Sequence, residues 1–182
     1  MAVTLVDATD GDVPIIERWL CADHVRRFWG EPAENSRLLR RPPPGAHHAL
    51  IVADGRKIGL VVRQHPSRRE LDDAGLHDIP ESVIDIDIMI GEPGAVGRGA
   101  GPNAIRLAAG EALADPRVPF VIAATSLDNT ASRRAFAKAG FLEDREFDDV
   151  PNGRYVLLVR RRPDARDILD GGTGTDSTGE GG

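Results

Sequence analysis

Cysteine is nearly absent. The one thiol, Cys21, excludes an internal disulfide and any zinc site built on a cysteine pair. It lies beside Ile16, Trp19 and Leu20 in an amphipathic pattern and reads as a small buried hydrophobe rather than a nucleophile. The five histidines show no metal-ligand spacing, and His47-His48, just ahead of an apolar strand, read as structural. No apolar run approaches the roughly 20 residues of a membrane span. Met1 to Asp10 lacks the basic start and apolar centre of a secretory leader, so the expectation is a cytoplasmic protein with no membrane partner. Basic charge is also short: 23 Lys and Arg stand against 29 Asp and Glu, and a net charge of −6 argues against nonspecific nucleic-acid binding.

With 182 residues and 41% hydrophobic content, the chain suffices for one domain with a core. The charge is unevenly placed. Glu70, Asp72, Asp73, Asp78, Glu81, Asp85, Asp87 and Glu92 occur with no Lys or Arg among them. Two readings stay open, a solvated acidic loop and a funnel that concentrates a cationic substrate.

Periodicity gives a mixed α/β order. Val3 to Val6 reads as a strand, and Gly11-Asp12 with Pro14 starts a helix through Ile15, Ile16, Trp19 and Leu20. A short helix fits His24 to Trp29, and Pro42-Pro43-Pro44-Gly45 ends any helix before it. Ala49 to Ala53 and Ile58 to Arg63 form a hairpin about Asp54-Gly55. Val83 to Ile90 is the clearest strand: Ile84, Ile86, Ile88 and Ile90 alternate with Asp85, Asp87 and Met89, which puts both carboxylates on one face, about 6.6 Å apart. A helix from Gly101 to about Ala114, a strand from Phe120 to Ala124, a helix after Asn129, and strands near Phe141 to Phe147 and Tyr155 to Arg160 complete a domain over residues 1–162. Residues 163–182, rich in Gly and Thr, have almost nothing to bury and read as a disordered tail.

Gly97-Arg98-Gly99-Ala100-Gly101-Pro102 sits between that strand and the Ala-rich helix. Glycines let the backbone come close to a ligand, and a helix start offers unpaired N–H groups and a positive dipole end, so the loop reads as a cradle for phosphate. A plain strand-to-helix turn is the competing reading of the glycines alone. The later segment Asn129-Thr130-Ala131-Ser132-Arg133-Arg134-Ala135-Phe136-Ala137-Lys138-Ala139-Gly140-Phe141 has a helical apolar face and a glycine stop.

Together, Val96-Gly97-Arg98-Gly99-Ala100-Gly101 and the Asn129 segment resemble the acetyl-CoA signature of the GCN5-related N-acetyltransferases. Within that family, His24-Val25-Arg26-Arg27-Phe28-Trp29-Gly30-Glu31-Pro32 and Ile86-Asp87-Ile88-Met89-Ile90-Gly91-Glu92-Pro93 look most like segments of the aminoglycoside 6′-N-acetyltransferases. The resemblance covers roughly residues 3 to 162. It implies an α/β (α+β) fold: a twisted mixed sheet with splayed central strands, flanked by helices. It also implies acetyl transfer from acetyl-CoA, without a metal, to a primary amine of a cationic small molecule, an aminoglycoside being the first expectation, by a monomer or homodimer.

Carried over residue by residue, the resemblance makes Asp87 the base, directly or through water, or else the electrostatic anchor of the substrate cation. Backbone N–H groups of Met89, Ile90 and Gly91 would meet the thioester and pantetheine. Val96, Gly97, Arg98, Gly99, Ala100 and Gly101 would hold the diphosphate, and Asn129 the pantetheine arm, while also capping its helix. Phe136 stands beside the cofactor where many members have a Tyr that protonates the thiolate, and Phe has no proton to give. Trp29, Asp85, Asp128 and Asn152 are candidate substrate contacts, with core packing the other reading of Trp29. Two acidic contacts of the aminoglycoside enzymes are replaced, by Ala124 and by Asn152. Alternative acceptors are hydroxylysine of siderophore assembly and a protein amine; a non-catalytic acyl-CoA-binding module is the alternative of another class.

Overall fold

The computed structural model describes residues 1–149 and 153–162. The elements run β1 (Val3–Asp7), α1 (Val13–Leu20), α2 (Asp23–Trp29), α3 (Pro32–Arg40), β2 (His47–Ala53), β3 (Arg56–Gln64), α4 (Arg68–Asp73), β4 (Ile84–Ile90), α5 (Ala100–Leu113), β5 (Phe120–Ser126), α6 (Thr130–Lys138), β6 (Leu142–Asp149) and β7 (Gly153–Arg161). Among the described residues, seven strands form one sheet in the order β1-β2-β3-β4-β5-β7-β6. Its one parallel contact, β4 with β5, joins only Ile84 to Val121 and Asp85 to Ile122; from Ile86 onward β4 has no partner on that side. The sheet is therefore mixed and opens along a central seam.

Alternation in the strands fixes what lies on each face. Ile86 of β4, Ile51 of β2 and Val121 of β5 pack with Ala104, Ile105, Ala108 and Ala112 of α5, a stripe of small side chains that lets the helix lie close to the sheet. Met89 points to the other face, among Trp19, Leu20, Leu50 and Leu60, beneath α1. A third cluster, with Leu71 of α4, Ile122 and Leu157, continues on that second face. Asp85 and Asp87, in step with Met89, therefore lie opposite α5.

Several elements differ from the sequence reading. The hairpin turns where expected, with Asp54 and Gly55 at φ of 48° and 77°, the pair of positive angles that a tight two-residue turn demands. The acidic stretch is a loop only in part: residues 74–83, with Asp78 and Glu81, connect α4 to β4. Ser67 and Glu70 form a reciprocal capping box that starts α4. Four of its carboxylates are ion-paired: Asp72 with Arg68, Asp73 with Arg69, Asp78 with Arg145 and Glu92 with Arg18. Helix α3 was not anticipated; its start, Glu31-Pro32, has proline at the first helical position, and Glu17 of α1 ties down its far end through Arg40 at 2.8 Å. Cys21, expected inside, is exposed at the end of α1. The expected tail, residues 163–182, lies outside the described residues.

Candidate active site

The seam edge of β4 is chemically lopsided. Trp29 Nε1 donates to the carbonyl of Ile88 (3.2 Å), and His24 Nε2 lies 2.9 Å from the carbonyl of Ile90. In a strand the N–H and C=O of one residue point to the same edge, so the N–H groups of Ile88 and Ile90 face the seam while their carbonyls are already satisfied by α2. The edge is a row of donors awaiting acceptors. Gly91 is not part of it: its N–H is given to Ile58 (2.8 Å), and a Cβ there would sit 2.1 Å from Trp19 Cγ. The sequence reading of Gly91 as a ligand donor is corrected; this glycine exists so that Trp19 can lie on the backbone. Met89, buried to 4% among core side chains, likewise contributes packing, and its N–H faces β3 opposite Leu60.

A cleft of about 450 Å³ runs along the seam, walled by Ile88, Ile90, Val96, Gly97, Gly99, Gly101, Asn129 and Ala135, among others. Gly97 and Gly99 hold φ of 76° and 85°, a conformation that side-chain-bearing residues rarely adopt, and nothing lies within 4 Å of where their Cβ atoms would be. Gly99 is the N-cap of α5 and supplies no side-chain cap, so the first N–H groups of this 14-residue helix are left without a side-chain acceptor from the cap. That is an anion cradle. Ala100 is buried and can contribute only main chain, and Arg98 is exposed beside the loop. The sequence reading missed Arg134 and Lys138 of α6, which also line the cleft; their signal was present, as cations one helical turn apart next to the Asn129 cap. Asn129 Oδ1 accepts from the Ser132 N–H at 3.1 Å, so the capping role is real, and the residue also lines the cleft.

Phe136 does not border the cleft. It is buried to 2%, edge-to-face on Phe141 with ring centroids 5.0 Å apart, and the wall at that level is Ala135. The expectation of a cofactor contact at Phe136 is replaced by a packing role.

A second cavity, about 770 Å³, opens on the face of Asp85 and Asp87 and shares Phe28 and Trp29 with the first. Glu31, Glu34, Arg27, Arg37, Ser126, Asp128 and Tyr155 complete much of its wall. Asn35 fixes the Trp29 end of α2 by donating to the Trp29 carbonyl at 2.7 Å. Trp29 thus divides the two cavities, as its half-buried state suits, and Asp128 faces the larger one. Asn152 lies outside the described residues.

Asp85 and Asp87 wall neither cavity; by surface area both are half-buried on their face of the sheet. Asp85 belongs to the last pair joined across the seam, and its buried Oδ1 meets no hydrogen-bond donor. Burial first, then the charges of Asp87 and Glu70, push its carboxyl well above the ordinary range, against a backbone hydrogen bond from Ile86. Asp85 walls neither cavity, so the expectation of a substrate contact at this residue is corrected. Asp87, one step into the opening, is pushed up to about 6 by burial. Its charge reaches Tyr155, whose hydroxyl is raised by burial first and then by Asp149 and Asp87.

An open seam edged with donors, with an anion cradle at one end and the half-buried Asp87 on the strand that edges it, is the arrangement of an acyl-CoA-type acyltransferase. A family model for the acetyltransferase (GNAT) domain matches residues 8–149, and the chain belongs to that family of N-acetyltransferases. A search of curated proteins returns no match. Among solved structures, the aminoglycoside acetyltransferase AAC(6′)-Ib in complex with coenzyme A superposes with a TM-score of 0.76 at 22% identity, covering 88% of this chain and 95% of that one. The same enzyme with ribostamycin and coenzyme A gives 0.77 at 21% identity, covering 97% and 100%. A spermidine N-acetyltransferase SpeG chimera from Vibrio cholerae and hSSAT gives 0.66 at 13% identity, covering 93% and 99%.

Proposed function

We propose that this protein transfers the acetyl group of acetyl-CoA to a primary amine of a cationic small molecule, with an aminoglycoside 6′-amine as the first candidate. The observation that carries the reading is the seam that opens beyond Asp85. Bound there, acetyl-CoA supplies an activated thioester carbon. Gly97, Gly99 and the amides that open α5 hold its diphosphate, aided by Arg134 and Lys138. The N–H groups of Ile88 and Ile90 pair with carbonyl oxygens along the arm, and one of them polarises the reacting carbonyl. Asn129 hydrogen-bonds the same arm.

The acceptor enters the larger cavity as an ammonium. Asp87, ionised above about pH 6, takes its proton through a water molecule, because Asp87 is not among the residues that wall the cavity. The neutral nitrogen then bonds to the carbonyl carbon as the carbon–sulfur bond breaks. The second proton that the nitrogen sheds in becoming an amide passes through water to the departing thiolate, because Phe136 has none to offer; a thiol ionising near pKa 8.5 tolerates this. Glu31, Glu34 and Asp128 stand where they attract further ammonium groups, a task for which the uncharged side chains of Ala124 and Asn152 are unsuited.

Arg27 and Arg37 in the same wall favour a second reading, an amine that also carries a carboxylate, such as hydroxylysine. Thiol release from acetyl-CoA, followed with kanamycin, hydroxylysine and a peptide amine, tests both. Turnover with one of them supports the transferase. Acetyl-CoA binding with no thiol release from any would instead indicate a binding module.

A further inference from the structure

Tyr155, the chain's one tyrosine, has no place in the mechanism above. It stands on β7 directly opposite Ser126 of β5 and Phe147 of β6. It shares a sheet face with Leu157, and so with Asp87. With Ser126 and Asp128 it forms the β5–β7 side of the larger cavity, whereas Trp29 is anchored on the β4 side through Ile88. Its ring is held against Phe147, centroids 6.0 Å apart and tilted by 38°. The phenol is half-buried, so its orientation is set by packing.

We propose that Tyr155 orients the acceptor, its ring closing the cavity across from Trp29 and its hydroxyl hydrogen-bonding a polar group of the acceptor while the reacting nitrogen is presented toward Asp87. This rests on the acetyl-transfer reading and adds a specificity-determining residue to it. Delivery of a proton to the thiolate is the other task open to a phenol. Burial and the charges of Asp149 and Asp87 make this one a weaker acid than usual, poorly matched to a thiolate that protonates near pH 8.5. The same charges keep the O–H intact as a donor through neutral pH, which suits orientation.

The test is steady-state kinetics of Tyr155→Phe and Tyr155→Ala, by thiol release from acetyl-CoA, with kanamycin and hydroxylysine as acceptors. For whichever acceptor the wild type uses, Tyr155→Phe should raise acceptor KM about fivefold, the loss of one neutral hydrogen bond. The KM for acetyl-CoA should stay within twofold. Tyr155→Ala should raise acceptor KM further and narrow the difference between the two acceptors. A Tyr155→Phe enzyme with the acceptor KM of the wild type overturns the proposal and leaves the transferase reading intact. A change in the acetyl-CoA KM equal to that for the acceptor overturns it too, as the mark of a general structural role. Wild-type protein that binds acetyl-CoA in a titration but acetylates neither acceptor overturns the use of this cavity, and the role of Tyr155 with it.

Discussion

Asp85 and Asp87 share one face of β4, yet only Asp85 faces a partner residue, Ile122, across β5. Two positions of chain separate a carboxyl at the closed end of the seam from one at its opening, and burial is the first cause that raises both.

Asp87→Asn should lower kcat by about 10²- to 10³-fold, the usual contribution of a general base. Acetyl-CoA affinity, measured by titration, should change little, because the cradle lies at the other end of the cleft. Wild-type kcat in the variant would remove Asp87 from proton transfer.

The pH dependence follows from the direction of the shift. A base must be ionised to act, and Asp87 is pushed up to about 6, so kcat/KM should fall as pH drops through about 6. The sign for stability is opposite. A carboxyl whose folded pKa exceeds its unfolded value favours the fold below the unfolded pKa, and loses that contribution as pH rises through the folded one. Asp87→Asn and Asp85→Asn should therefore raise Tm at pH 7.5 by a few degrees, about the effect of one kcal/mol in a domain of this size. Thermal melts at pH 5 and 7.5 check the pattern: the gain should shrink at the lower pH.

Gly99→Asp should weaken acetyl-CoA binding at least about tenfold. It forces a side chain onto a φ of 85° and places negative charge at the start of α5. Calorimetric titration measures it; Gly94→Asp, at a glycine with ordinary φ outside the cleft lining, is the control.

Gly91→Ala tests packing rather than chemistry. Its Cβ would meet the Trp19 ring at 2.1 Å, and Trp19 is almost wholly buried. The expected loss is about 2–3 kcal/mol in denaturant melts, as for an overpacked core.

Alternation in Ile84 to Ile90 and the glycines after it made β4, the cradle and α5 legible in the sequence, because period and punctuation are local signals. The face shared by Asp85 and Asp87 was legible for the same reason. Their division into a closed and an open position was not, since it depends on where β5, more than thirty residues later, stops pairing. Gly91 was misread because its need is tertiary: the residue it makes room for is Trp19, 72 positions away. Phe136 matched a motif position, but only packing against Phe141 decides that it turns inward. Helix α3 escaped because its cue, Glu31-Pro32, is a single residue pair with no strong apolar stripe behind it, and with it went Glu34, Asn35, Arg37 and Leu38 of the larger cavity's wall.

The central claim is that coenzyme A occupies the β4–β5 seam with its diphosphate on the glycine loop, and an amide-resolved NMR titration of the ¹⁵N-labelled protein with coenzyme A tests it most directly. The expected result is large shifts confined to Ile88, Ile90, the amides of residues 97–101, and Asn129, with β1 and β2 unmoved. Shifts that leave residues 97–101 and Ile88 unchanged, while saturating elsewhere, would contradict the account.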